Sequence, residues 1–173
     1  VGRDFHTKGG DTVLAALAVL RTQVDPAITL TVVGPRSWPL PGPVPEGVRF
    51  LGSLPVDRVG ALYAEHDLFV LPSRFEGFGI VFVEALAAGL PCVGRRAFAM
   101  PEIITPGCNG ELVGGGSQGA EVAELTAAVA RLLADDAVYR YTASAAVEVA
   151  RYYSWDRAAA EVLDVAHQIT RSA

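Results

Sequence analysis

Two glutamates interrupt the run F-V-L-P-S-R-F-E-G-F-G-I-V-F-V-E-A-L-A-A-G-L-P-C-V from Phe69 to Val93, and they are its only acidic residues. A charge placed among so many apolar neighbours costs several kcal/mol unless it is paired or hydrogen-bonded, so Glu76 and Glu84 are expected to hold something. The segment parses as a hydrophobic strand (Asp67 to Leu71), a Pro-Ser stop, a glycine-bracketed loop and a helix from Gly79 onward. Glu76 falls in the loop at the carboxyl end of the strand, and Glu84 about one turn into a helix buried on most sides. In an open α/β sheet that edge is where ligands bind. Gly77-Phe78-Gly79 lets backbone approach a ligand closely, and the free N–H groups of the helix start, from Ile80 on, favour a phosphate or an anionic oxygen.

Lys8 adds a charge of the right sign. Of fourteen basic residues it is the only lysine, so a strong preference for arginine is broken at one place. A compact ammonium on a flexible stem binds phosphate as a point charge, which the planar arginine fork does not reproduce. The competing reading is a solvated lysine at a helix N-terminus, where its charge is mildly unfavourable. With parallel strands, Arg3, Lys8, Arg74, Arg95 and Arg96 all fall at strand ends on one rim and form a basic mouth. For Arg74, Arg95 and Arg96 the alternative is that they are solvated loop charges or pair with Glu102 and nearby aspartates.

The elements that must position these groups alternate. A truncated strand ends at Arg3 and a helix runs from about Gly10 to Val24. Strands follow at Ile28 to Gly34 and Val48 to Leu51, then a helix from about Val56 to His66. After the glutamate-bearing strand and helix come a strand at Pro91 to Gly94, a helical turn near Pro101 to Ile104 and a short strand at Glu111 to Val113. Beyond a flexible G-G-G-S-Q-G, Val122, Leu125, Val129 and Leu132 mark one amphipathic helix. Val162, Val165 and Ile169 mark another, opening at Ser154 as N-cap. Strands alternating with helices predict a doubly wound parallel sheet of α/β class, in one domain spanning 1–173.

Composition sets the outer bounds. With 173 residues and 51% hydrophobic content the chain has a substantial core. A net charge of −5 argues against nucleic acid as a partner. No apolar run is long enough to predict a transmembrane segment, and no leader pattern opens the chain, so it reads as cytoplasmic. The two cysteines, Cys92 in a strand and Cys108 in a turn, do not suggest a disulfide framework. His6, His66 and His167 make no metal-ligand spacing with them, and no structural metal is expected.

The F-E-G-F-G loop with a second glutamate after seven intervening residues resembles the donor-site motif of retaining glycosyltransferases of the GT-B fold, in the large group 1 family. V-G-R…K-G-G-D, L-T-V-V-G, V-R-F-L-G-S-L, M-P-E-I-I-T-P-G-C-N-G-E-L-V and Y-S-W-D-R match in the same order, covering almost the whole chain. The resemblance implies the Rossmann-like C-terminal half of such an enzyme, binding a UDP- or GDP-sugar donor for hexosyl transfer without a divalent ion. No Asp-x-Asp occurs, in agreement. It implies that Glu76 meets hydroxyls of the donor sugar and Glu84 those of the ribose, that Arg3 and Lys8 hold the diphosphate, and that backbone of Gly77, Phe78, Gly79 and Ile80 completes the pocket. The base would lie against backbone near Gly34 and the Gly52 to Leu54 turn, contacts that leave little trace of its identity. The acceptor and part of the machinery would come from an N-terminal domain that this chain does not contain. A chain opening in mid-strand and ending on a helix meant for another domain would be inactive alone and prone to self-association.

Two segments depart from the family pattern. Five prolines between Pro35 and Pro45 exclude the helix common at that point, and Trp38 there is either a loop anchor or a surface for stacking the base. The turn G-R-R-A-F-A-M-P-E is bulkier than the glycine-rich turn of many relatives, which bears on the choice of donor sugar.

Other functions fit less well. Paired carboxylates also serve glycoside hydrolases, but here an anion site lies between them. No G-x-G-x-x-G follows a strand, and G-R-D-F-H-T-K-G-G fails the phosphate-loop spacing. A nucleotide-sugar epimerase of related fold would not carry the F-E-G-F-G loop. A non-catalytic nucleotide-sugar-binding module remains as the reading from a different class.

Overall fold

The computed structural model describes residues 1–114 and 116–171, so Gly115 of the glycine-rich segment lies outside the described residues. Seven helices and five strands follow one another among them. They are α1 (Gly10–Gln23), β1 (Leu30–Val33), β2 (Val48–Gly52), α2 (Val56–Tyr63), β3 (Phe69–Leu71) and α3 (Ile80–Ala87). Next come β4 (Cys92–Arg95), α4 (Met100–Ile103), β5 (Gly110–Val113), α5 (Gln118–Leu133), α6 (Asp136–Tyr152) and α7 (Trp155–Arg171).

All strand pairing between these strands is parallel. β1 pairs with β2, with a register shift between Val32 and Val33, and β3, β4 and β5 pair in that order. The strands of the second sheet are buried on both faces, and their side chains alternate between two cores. Phe69, Leu71, Cys92 and Leu112 face one core with Phe82, Leu86 and Met100. Val93 and Val113 face the other, with Ala16 and Leu20 of α1 and Leu125 and Val129 of α5. Helices on both faces of a parallel sheet make the predicted doubly wound α/β architecture. Phe82 is fully buried, so truncating it to alanine would cost about 3–5 kcal/mol.

The expected single sheet is divided. No strand forms at Val1–Arg3, and only the Gly2 N–H reaches β1, donating to the Val33 carbonyl at 2.9 Å. Between the facing edges of β1 and β3 lies a cavity of about 780 Å³, lined by Leu17, Leu20, Val33, Tyr63, Phe69 and Val129 among others. Among the described residues no backbone pairing joins β1 to β3, so the ladder is interrupted there, although His66 Nε2 and Thr31 Oγ1 lie 2.8 Å apart at the same gap.

The proline-rich connection from Pro35 to Pro45 carries no helix, as expected. Trp38 is its anchor: its ring meets Phe5 at 6.0 Å and Phe50 at 5.6 Å, both edge-on, in an aromatic cluster beside β2. α6 has no counterpart in the sequence reading. Asp135 caps it by accepting from the Ala137 and Val138 N–H groups, and it packs on α3. Ser154 does cap α7, accepting from the Arg157 N–H at 3.2 Å.

Candidate functional site

Two loops, both opened by glycine at a helix start, are brought together at the carboxyl end of β3. The first runs from Asp4 to Gly9 into α1. Gly9 has φ of 74°, and a Cβ there would sit 2.5 Å from the Pro72 carbonyl oxygen, so only glycine lets this loop close onto the end of β3. The second runs from Ser73 to Gly79 into α3. Gly79 has φ of 79°, and its Cβ would meet the Met100 Cε at 2.6 Å. The loops are joined directly, the Arg74 N–H donating to the Thr7 carbonyl at 2.7 Å.

That closure delivers Lys8 to Glu76. The Lys8 ammonium donates to Glu76 Oε2 at 2.7 Å, with side-chain exposures of 25% and 11%. The Ser73 hydroxyl donates to the same oxygen at 3.2 Å. Ser73 is buried and was missed from sequence, although it stands three residues before Glu76 in the stop that ends β3. Gly77, Phe78 and Ile80 are exposed around the start of α3, whose first turn holds no acidic residue of its own.

Glu84 is not brought into that cluster. It is exposed rather than buried, which corrects the expectation for this helix, because it faces α2 instead of the core. Its Oε2 accepts from the Tyr63 hydroxyl at 3.2 Å. Burial first, and then the charge of Glu84, push the Tyr63 hydroxyl well above its ordinary pKa, so it stays a donor to that carboxylate. Nothing local in the sequence links residues 21 apart on different helices. Gly34 and Gly52, at the ends of β1 and β2, are tied by a 2.8 Å hydrogen bond from the Gly34 N–H to the Gly52 carbonyl, and Leu54 follows half-buried.

The expected basic mouth is much reduced. Arg74 forms a two-pronged pair with Asp11, at 2.7 and 2.9 Å. Burial works against the Asp11 charge, but the Arg74 guanidinium outweighs it and holds the carboxyl below its usual range. Arg95 pairs with Glu121 of α5 and donates from Nε to the Ser73 carbonyl at 2.9 Å. Arg96 donates to the Leu112 carbonyl at 3.1 Å. Arg74 meets a nearby aspartate as its alternative reading had it, whereas Arg95 pairs with Glu121 rather than Glu102, and Arg96 is exposed and bonds a backbone carbonyl rather than an acid. Arg3 is exposed and forms no ion pair among the described residues.

Cys92 is a buried free thiol whose pKa burial drives well up, and Cys108 is half-buried and free. Among the described residues no three His, Cys, Asp or Glu side chains converge as metal ligands, and no helix is long and apolar enough to cross a membrane.

Parallel α/β strands with glycine-opened helices bring an ammonium, a carboxylate and a helix start together at the carboxyl edge of β3, the edge at which such sheets commonly bind ligands. The family is defined by the sequence: the profile of glycosyl transferases group 1 matches residues 1–135, and the chain belongs to that family. It is 35% identical to D-inositol 3-phosphate glycosyltransferase of Salinispora tropica, over 95% of this chain and 36% of that protein. It is 33% identical to the GDP-mannose-dependent alpha-(1-6)-phosphatidylinositol monomannoside mannosyltransferase of Mycobacterium tuberculosis, over 91% of this chain and 43% of that protein. The chain thus spans well under half the length of these relatives.

The fold agrees. The solved C-terminal domain of a group 1 glycosyltransferase from Francisella tularensis superposes with a TM-score of 0.71, covering 86% of this chain and 80% of that one, at 24% identity. HepE of Anabaena, solved in complex with UDP-glucose, is 28% identical with a TM-score of 0.71, covering 86% of this chain and 43% of that one. The architecture is the C-terminal half of a GT-B glycosyltransferase.

Proposed function

We propose that this chain is the donor-binding half of a retaining glycosyltransferase, holding a nucleoside-diphosphate hexose with side chains and backbone and no divalent ion. The observation that carries the reading is the Lys8–Glu76 pair, set at 2.7 Å between two glycine-opened helix starts. An ammonium and a carboxylate side by side match the junction of a sugar nucleotide, where anionic diphosphate meets neutral hydroxyls.

In this reading Lys8, Arg3 and the free N–H groups at the start of α3 receive the diphosphate, and Glu76 accepts hydrogen bonds from the sugar. Glu84, oriented by Tyr63, accepts from the ribose, and the base lies against backbone at Gly34 and the Gly52 to Leu54 turn. Transfer breaks the bond from the anomeric carbon to the diphosphate oxygen and forms one to an acceptor oxygen on the same face. The acceptor proton passes to the leaving phosphate. Negative charge growing on that phosphate is met by the same cation and N–H groups, which lowers the barrier. The acceptor would be held by a further domain, consistent with the chain's share of its relatives' length. A cytoplasmic site suits a supply of nucleotide sugars.

The relatives' names point to GDP-mannose and UDP-glucose as the first donors to try. Calorimetry with UDP and GDP is expected to show binding that Lys8→Ala weakens at least tenfold, since a charge-assisted contact contributes about 1.5–3 kcal/mol. Unchanged affinity in Lys8→Ala overturns the diphosphate assignment. Turnover by this chain alone at the rate of a two-domain relative overturns the need for a second domain.

A further inference from the structure

Phe98 is the one non-glycine with positive φ among the described residues, at 58°. A bulky aromatic is strained in that region where glycine is free, and such strain persists where something besides local folding selects the residue. Burial does not account for it, because Phe98 is 46% exposed. Its neighbour Phe75 is 67% exposed. The two rings meet edge to face, 5.8 Å between centroids with planes at 69°, forming an apolar corner open to solvent.

The corner adjoins Glu76 along the chain. Phe75 immediately precedes that residue, and the loop carrying both is seated on the turn after Phe98 by the close approach of Gly79 to Met100. Lys8 and Ser73 both donate to Oε2 of Glu76, which leaves Oε1 facing neither. An aromatic face next to a carboxylate acceptor has the chemistry that recognises a pyranose ring. The ring's C–H face packs on the aromatic while its hydroxyls donate to the carboxylate. A nucleobase suits the place less well. The backbone assigned to the base follows β1 and β2, whereas Phe75 follows β3 and Phe98 follows β4, in the other sheet.

We propose that Phe75 and Phe98 form an aromatic wall that stacks on a pyranose ring held at Glu76, and that Phe98 is retained in its strained conformation for that contact. The inference rests on the donor-site reading above. The pyranose is the donor's hexose or a sugar acceptor, which share this chemistry.

The test uses the 173-residue chain and its Phe98→Gly, Phe75→Ala and Phe98→Tyr variants. Calorimetry is run with UDP and GDP, with UDP-glucose and GDP-mannose, and ligand-observed NMR with methyl α-mannoside in the presence of UDP or GDP. Phe98→Gly and Phe75→Ala are expected to lose about three- to tenfold affinity for a sugar-bearing probe, the size of an aromatic contact, with UDP and GDP unchanged. Phe98→Tyr retains the affinity. Phe98→Gly melts at the same or a higher temperature, because its backbone strain is relieved, so the loss is not one of folding. Loss with the nucleotide sugars assigns the wall to the donor; loss with methyl α-mannoside alone assigns it to the acceptor. Unchanged affinity for all sugar-bearing probes overturns the wall, as does an equal loss of UDP and GDP. Failure of the parent chain to bind UDP or GDP overturns the donor-site reading itself, a result visible before any variant is made.

Discussion

Lys8 Nζ and Glu76 Oε2 stand 2.7 Å apart, so the residue assigned to phosphate and the residue assigned to sugar form one ion pair. A diphosphate approaching Lys8 competes with Glu76 for the same ammonium, and the affinity measured is net of that competition. Glu76→Gln removes the competing charge while keeping size and hydrogen-bonding atoms. The expected outcome is that UDP or GDP binds the variant as tightly as the parent or a few-fold more tightly, while the extra affinity from an attached sugar falls. Calorimetry on the free and sugar-bearing nucleotides checks both halves. Equal weakening of both would mean that Glu76 supports the whole pocket rather than the sugar.

Glu84 depends on Tyr63 in a different way. The tyrosine hydroxyl donates to it across from α2, and removing that hydroxyl leaves the carboxylate without its orienting bond. Tyr63→Phe is expected to weaken UDP or GDP by a few-fold with little loss of stability, about 0.5–1.5 kcal/mol for one hydrogen bond. Glu84→Gln should weaken the same ligands further. If Tyr63→Phe leaves binding intact and Glu84→Gln abolishes it, the tyrosine anchors α2 only.

What the sequence made legible was whatever depends on neighbours in the chain. The alternating elements, the helix starts at Gly10 and Gly79 and the proline-excluded helix could all be read there, because each rests on local backbone sterics. The Ser154 cap was legible for the same reason. Partnerships across the chain were not: Arg95 with Glu121, Arg74 with Asp11 and Tyr63 with Glu84 join residues on separate elements, and position at a strand end gave the arginines a place on the rim without showing which acids they meet. α6 escaped because Asp136 to Tyr152 is rich in alanine and short of large aliphatics, so its buried stripe of Thr142, Ala146 and Ala150 carries little hydrophobic contrast. The strain at Phe98 is a backbone property that residue identity does not announce.

Arg95 shows what those unseen partnerships do for the site. It pairs with Glu121 of α5 at side-chain exposures of 17% and 11%, and its Nε–H donates to the Ser73 carbonyl at the start of the Glu76 loop. Removing one partner of so enclosed a pair strands the other charge, at a cost of about 3–5 kcal/mol. Arg95→Ala is therefore expected to lower the denaturation midpoint sharply and to weaken nucleotide binding through the loosened loop. Arg95→Met with Glu121→Leu, which strands no charge, should recover much of the stability without recovering the loop contact. Urea titrations of the three proteins separate the two effects; a single variant as stable as the parent would show the pair to be dispensable.

α7 is the element least accounted for by the chain's own packing. None of its residues is buried, and Trp155 is 87% exposed. Val162, Val165 and Ile169 recur at helical spacing, so their exposed side chains lie along one face as a continuous apolar stripe. Such a stripe in water favours association with any apolar surface available, including another copy of itself. The chain is expected to self-associate reversibly as its concentration rises, and Val162→Glu with Ile169→Glu should return it to a monomer without lowering its melting temperature, since neither side chain contributes to a core. Sedimentation velocity across a concentration series reads the first result, and thermal melting of the double variant reads the second. A parent chain that stays monomeric throughout would show the stripe to be too dispersed to associate. A double variant that melts earlier would show that α7 packs on the body after all.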